Sequence, residues 1–251
     1  INAGLNKYLF EMTNIRNQAS WVHKDAPGLA TQKAKDLVRM AVYKVALLEP
    51  LKEAELLINP VAMVVGGGIS GMACAKNLAE QSYEVHLVEK DQVLGGQANS
   101  LYRTCQDEDV ASELGSLIKD VNENEKINIH LNTTLENVRG FVGNFTSELK
   151  NAQGTISLEH GVAIVATGAH EYKPDEYCYG QDNRILTSLE LDKKFIEEDA
   201  SLKTVQSAVF IQCVGSREDE RPYCSRVCCT HSIENALALK EKNPGMGIYI
   251  L

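Results

Sequence analysis

The most constraining feature of this 251-residue sequence is Gly66-Gly-Gly68-Ile-Ser-Gly71, set between an apolar run and a helical stretch. The run Val61-Ala-Met-Val-Val65 has the composition of a buried parallel strand. Met72, Ala75 and Leu78-Ala79 then fall on one face of a helix over Ile69–Glu80, and Val85-His-Leu-Val88 reads as the next strand. Together they form a βαβ unit of about 30 residues. In such a unit the first glycine permits the tight turn and the second lets a pyrophosphate approach the backbone. The third lets helix and strand pack closely. The N–H groups and dipole at the helix start favour the anion. Glu89 lies eighteen residues beyond Gly71, where a carboxylate accepts hydrogen bonds from ribose hydroxyls and repels a 2′-phosphate. The bland alternative is a structural glycine turn beside a surface glutamate. The strand–turn–helix context weighs against it, and a bound adenine dinucleotide is expected.

The same alternation organises the rest of the chain. Residues 1–59 hold eight Lys/Arg against six Asp/Glu and end in a helical pattern (Ala30, Ala34, Val38, Val42, Val45, Leu48), closed by Pro50 and Pro60. This segment is expected to be an N-terminal helical arm. A Rossmann-like dinucleotide-binding domain is expected over 60–200, with a helix near 108–121, strands at 127–131, 134–138, 155–159 and 162–166, and a hairpin region at 140–147. A second Rossmann-like unit is expected over 201–251, from a strand at 208–212, a helix at 227–241 and a strand at 247–251. The sequence stops inside that last apolar strand, so a fragment of a longer chain is expected.

Four of the seven cysteines form a second constellation: Cys213, Cys224, Cys228 and Cys229, spaced C-x10-C-x3-C-C. They flank a charged loop, Arg217-Glu-Asp-Glu-Arg221, and run into a helix start whose N–H groups and dipole stabilise thiolates. Four cysteines are the full complement for one cubane iron–sulfur cluster. They also suit a tetrahedral zinc, although adjacent cysteines depart from the usual knuckle spacing. A vicinal redox pair at Cys228-Cys229, or merely packed thiols, is the third reading. Cys74, Cys105 and Cys178 are scattered, and Cys74 reads as a small packed apolar residue. His231, just past Cys229, reads as a helix-surface or supporting residue rather than a ligand.

Composition removes several function classes. With 34 acidic and 25 basic side chains the net charge is −9, which disfavours nucleic acid and anionic membrane surfaces. No apolar run approaches membrane-spanning length. The first residues lack the charged and apolar regions of a signal peptide. An odd cysteine count without such a signal fits a reducing cytoplasm.

Gly66–Gly71, Glu89, Leu94-Gly-Gly96 and Ala166-Thr-Gly168 resemble, in order and separation, the FAD-binding segments of two-dinucleotide-fold flavoproteins. Spacing alone does not distinguish flavin from another dinucleotide. The chain as a whole resembles the heterodisulfide reductase family, in its A-type, flavin-containing iron–sulfur subunits, found in methanogens and anaerobic bacteria. Asn14-Ile-Arg16, Ser20-Trp-Val-His23, Ala34-Lys-Asp-Leu-Val-Arg39, Leu186-Thr-Ser-Leu-Glu190 and Phe210-Ile-Gln-Cys-Val-Gly-Ser-Arg217 carry the likeness. The most specific stretch is Tyr223-Cys-Ser-Arg-Val-Cys-Cys229.

The resemblance implies an α/β, thioredoxin-reductase-like fold. FAD would be held by Gly66, Gly68, Gly71, Glu89, Lys90, Gly95, Gly96, Thr167 and Gly168, and a [4Fe–4S] cluster by Cys213, Cys224, Cys228 and Cys229. It implies an oxidoreductase component in which the flavin is the site of electron bifurcation. Its partners would be other heterodisulfide reductase-like subunits and a hydrogenase- or dehydrogenase-type electron donor. No acid, base or nucleophile of this chain is needed. The sequence departs from this family's pattern at two points and from the ordinary two-dinucleotide flavoprotein at a third. Ala19 stands where many relatives have cysteine. The segment 210–217 lacks the second glycine motif that would bind a pyridine nucleotide. Ferredoxin-type cysteine repeats and a later flavin-binding segment are absent and are expected beyond Leu251. The competing readings are an NAD(P)H-dependent flavoprotein with structural zinc and a non-catalytic electron-transfer scaffold.

Overall fold

A computed structural model of the chain describes residues 4–52, 55–104, 106 and 108–251; Cys105 lies outside the described residues. The chain divides into two compact units, Ile1–Leu56 and Leu57–Leu251. In the first, helix α1 (Pro27–Val45) opens on a proline, whose fixed φ and missing N–H suit the first helical turn. A single π-type turn, Arg16–Ser20, precedes it and buries Ala19. Lys44 of α1 pairs with Glu11 at 2.8 Å. Trp21 is exposed, with the Arg16 guanidinium 4.6 Å from its ring centre.

The second unit is built on a four-stranded sheet. Strands β1 (Val61–Val65), β2 (Glu84–Val88) and β3 (Ile127–His130) are joined by helices α2 (Ile69–Glu80) and α3 (Val110–Glu123). An antiparallel meander follows, β4 (Thr134–Phe141), β5 (Asn144–Asn151) and β6 (Gly154–His160). Strand β7 (Val162–Val165) then returns to the first sheet beside β1, giving the parallel order β3-β2-β1-β7. The order therefore reverses between β1 and β7.

Each face of this sheet is covered by a different partner, which explains the two-sided apolar strands. Ala62, Val64, Val85 and Leu87 pack with Met72, Ala75 and Ala79 of α2 and Leu114 and Val121 of α3. Met63 and Val88, on the opposite face, pack with Leu149 and Leu158 of the meander. At roughly 25 cal/mol per Å2 of apolar area buried, each of the Val, Leu and Met side chains among these contributes about 1.5–3 kcal/mol.

The last third forms a second parallel piece. Strand β8 (Ser207–Phe210) pairs with β9 (Gly247–Ile250), and α5 (Cys228–Lys242) connects them. Helix α4 (Ser188–Ile196) is not anticipated by the apolar periodicity. It lies inside the interval that the sequence assigns to the dinucleotide-binding domain, yet its Phe195 packs with Ala238, Leu239 and Met246 of the second piece. Its signal is a capping box: the Thr187 side chain accepts from the Glu190 N–H, and Glu190 accepts from the Thr187 N–H.

Candidate functional site

The glycine loop leaves β1 at its carboxyl end, beside the segment that leaves β7. These are the adjacent strands where the sheet order reverses, the place where open α/β sheets bind ligands. Gly66 has φ +114°, and a Cβ there would lie 2.3 Å from the Ala166 carbonyl oxygen, so only glycine fits against the β7 exit. A Cβ on Gly71 would lie 1.8 Å from the Gly66 carbonyl oxygen. That contact fixes how closely α2 approaches the strand.

Glu89 shapes the loop from beneath. It is 6% exposed, its Oε2 accepts the Gly67 N–H at 2.5 Å, and its Oε1 accepts the Asp91 N–H at 2.9 Å. Each oxygen keeps a further lone pair for a ribose hydroxyl. Lys90 follows and is exposed. The Leu94-Gly95-Gly96 segment closes on the loop as well: the Gly95 N–H donates to the Gly67 carbonyl at 2.8 Å, and Gly96 sits against Gly68.

Gly68 and Gly168 show no atom within 4 Å of where a Cβ would stand. Both therefore border open space that a side chain would fill and a flat ligand can use. Gly68 caps α2 without any side-chain hydrogen bond, so the dipole end of that helix faces the same space. The fold thus brings Gly66, Gly68, Gly71, Glu89, Gly95, Gly96, Thr167 and Gly168 to one end of the sheet. These features fit a dinucleotide: a glycine backbone for the pyrophosphate, a carboxylate for the ribose and open backbone for the ring system. Gln97 carries no sequence signal; its amide donates to the Ala169 carbonyl at 2.5 Å and ties the two cradle walls together.

The four clustered cysteines lie on the β8–α5 loop and the first turn of α5, none of them fully buried. Cys213 Sγ accepts from Arg217 Nη1 at 3.7 Å, and Cys224 Sγ accepts from the Arg226 N–H at 3.3 Å. The Ser225 hydroxyl, 3.4 Å from Cys228 Sγ, pulls that thiol below its ordinary range. Cys229 is raised, first by Cys228 and then by burial, with Cys213 and Cys224 adding to the effect. The four cysteines thus sit on one loop and the helix start that follows it. Among the described residues, however, no three His, Cys, Asp or Glu side chains stand as a ready metal-ligand set. The donor chemistry suits a thiolate-bound cluster; closing it on one requires this loop to draw in.

Behind the cysteines, His231 Nε2 lies 2.9 Å from Asp192 Oδ2, and this partner holds the imidazole pKa above its usual value. His231 thus ties α5 to α4, a supporting contact of the kind its sequence position suggests. Asp192 is 1% exposed, and its Oδ1 has no hydrogen-bond partner among the described residues. Among the described residues, no helix is long and apolar enough to cross a membrane.

Comparison with known proteins places this geometry in context. Residues 64–128 match the family described as NAD(P)-binding Rossmann-like domain. The A-type subunit of H(2):CoB-CoM heterodisulfide,ferredoxin reductase from Methanothermobacter thermautotrophicus is 30% identical across 96% of this chain and 50% of its own length. An A-type iron-sulfur subunit of CoB–CoM heterodisulfide reductase from Methanopyrus kandleri is 32% identical across 96% of this chain and 51% of its own. The chain spans about half the length of the curated relatives it matches. Among solved structures, L-proline dehydrogenase from P. horikoshii aligns with 80% of this chain and 37% of its own, at 17% identity and a TM-score of 0.48.

Proposed function

The chain is a homologue of the A-type subunits of heterodisulfide reductase over nearly all of its length, and from that premise we propose that it binds FAD in the glycine cradle and a [4Fe–4S] cluster on Cys213, Cys224, Cys228 and Cys229. One observation carries the flavin half: the glycine loop and Thr167-Gly168 leave adjacent strands on either side of the reversal in sheet order. The N-terminus of α2 would attract the pyrophosphate, Glu89 would accept from the ribose, and the Gly95-Gly96 and Thr167-Gly168 backbones would hold the rest of the cofactor. When bound, FAD supplies exchange between two-electron and one-electron chemistry, and an iron–sulfur cluster accepts single electrons. The protein's own part would be to fix both groups on one scaffold. No side chain is required to abstract or donate a proton.

In this reading the chain is the electron-distributing part of a larger oxidoreductase. A hydrogenase- or dehydrogenase-type partner would supply the electrons; a flavin held by the cradle would allow them to be divided between a high- and a low-potential path, and Cys213, Cys224, Cys228 and Cys229 would hold the cluster at the start of one path. The segment 210–217, with one glycine where a second nucleotide loop needs three, supports electron entry by a route other than bound NAD(P)H.

The test is to prepare the full-length protein anaerobically and measure its FAD, iron, zinc and acid-labile sulfide. The reading expects one FAD, and about four irons with matching sulfide from this cysteine set, lost together when Cys224 and Cys228 are changed to serine. One zinc in place of iron would overturn the cluster assignment. Fast flavin reduction by NADH in the isolated protein would overturn the proposed electron entry.

A further inference from the structure

Tyr172 stands between the two sites and belongs to neither. Its backbone continues directly from the cradle wall, three residues after Ala169, whose carbonyl is held by Gln97. Its ring reaches the cysteine loop. A Cβ built on Gly215 would lie 2.2 Å from Tyr172 Cδ1 and 2.4 Å from Cε1, and Gly215 has φ +68°. Steric contact therefore requires glycine where the loop crosses the ring, and the left-handed backbone there favours it. On the ring face, the Arg221 guanidinium carbon lies 4.2 Å from the centroid, and Glu218 holds that guanidinium at 2.6 Å. Gly215 follows Cys213 by two residues, and Arg221 precedes Cys224 by three.

The surroundings show why such a fixture is needed. Tyr172 is 36% exposed, so the ring is not a core residue held by aliphatic packing. The loop has no regular structure, and Cys213, Arg217 and Arg226 all hold positive φ values near +60°. Backbone in that region persists only where neighbouring structure over-determines it. Next to the tyrosine, Lys173 pairs with Glu190 at 2.9 Å and Tyr179 donates to Glu190 at 2.6 Å, anchoring the 171–179 segment to α4. The segment carrying Tyr172 is thus fixed at one end to the cradle and at the other to the second parallel piece.

We infer that Tyr172 is a positioning residue that sets the Cys213–Cys224 loop in register with the flavin cradle, through its contacts with Gly215 and Arg221. What the loop carries rests on the function proposed above; the register itself does not. A tyrosine ring suits the task, since it offers a large rigid plate with few rotamers to freeze. Removing the plate frees the loop without touching a cysteine or a cradle glycine, whereas phenylalanine keeps the plate and its cation–π contact.

The experiment uses the full-length protein, purified anaerobically, as wild type and as Tyr172→Ala, Tyr172→Phe and Gly215→Ala. Hydrogen exchange over 213–223 is expected to quicken about tenfold in Tyr172→Ala and Gly215→Ala, and to stay near wild type in Tyr172→Phe. Where flavin and iron contents are unchanged, the same two variants are expected to slow flavin-to-cluster electron transfer and alter the cluster's electron paramagnetic resonance signal, with Tyr172→Phe restoring both. Unchanged exchange in Tyr172→Ala would overturn the inference, as would unaltered transfer and resonance despite faster exchange. A wild-type protein without iron would instead overturn the proposed function, and the exchange comparison would still decide the role of Tyr172.

Discussion

At the scale of single residues, the cradle is a set of backbone contacts that tolerate no added atom. Gly71→Ala places a methyl 1.8 Å from a main-chain carbonyl that cannot rotate away, so α2 must lift from the strand. Overpacking of this kind costs about 1–3 kcal/mol. The expected outcome is a lower unfolding midpoint together with weaker FAD binding, read by denaturant titration and flavin fluorescence. Glu89→Gln keeps the shape and removes the charge. Hydrogen bonds to a charged acceptor contribute about 1.5–3 kcal/mol, so FAD affinity is expected to fall by about 10- to 100-fold. An unchanged dissociation constant would remove Glu89 from the site. Glu89 and the glycines are legible in the sequence because their types are dictated locally, by a tight turn, a close approach of backbone and the loop N–H groups that Glu89 accepts. Gln97 and Tyr172 are not, because each acts across 43 residues or more, on Ala169 and on Gly215. No local pattern reports such a partner.

At the scale of elements, strands and helices whose faces are set by burial can be read from apolar spacing. Helix α2 spans Ile69–Glu80, the interval its glycine start and apolar face predict. Helix α4 escapes because its apolar stripe is short and its start is written in polar chemistry, Thr187 and Glu190. Thr187→Ala is expected to destabilise the protein by about 1 kcal/mol, measured by the unfolding midpoint. The layer between sheet and meander carries a different prediction. His86 Nδ1 and His130 Nε2 are 2.9 Å apart, and His160, wholly buried, hydrogen-bonds Ser147 at 2.7 Å. Burial lowers the pKa of all three; Glu84 opposes it at His86, and the His86 charge reinforces it at His130. With folded values below the ordinary value of about 6.5, the unfolded chain binds more protons as the medium acidifies. The stability they contribute is complete above that value and is lost as pH falls through the folded values. A thermal midpoint that drops between pH 7.5 and 5, and drops less in a His86→Gln, His130→Gln variant, is the expected result.

At the scale of the whole molecule, β7 pairs among the described residues with β1 alone and leaves Val165 75% exposed. An apolar parallel strand at a sheet edge is a template for further pairing. Light scattering of this 251-residue chain is therefore expected to rise with concentration, and Val165→Lys to suppress the rise while leaving stability within about 0.5 kcal/mol. Equal scattering by both forms would show that the edge is not the point of contact.

The register of β7 against β1 also bears on how the cradle comes into being. Val65 pairs with Val165, about a hundred residues further along the chain, and the α2 and α3 crossovers and the whole meander intervene. Contacts so distant in sequence are formed slowly. The two walls of the cradle cannot meet until this pairing is made, so a chain emerging from synthesis has no place for a flavin until the intervening strands, helices and meander are settled. Cofactor capture would then act as an inspection step: a ligand that recognises only the completed pairing withdraws finished molecules from the pool that can still unfold.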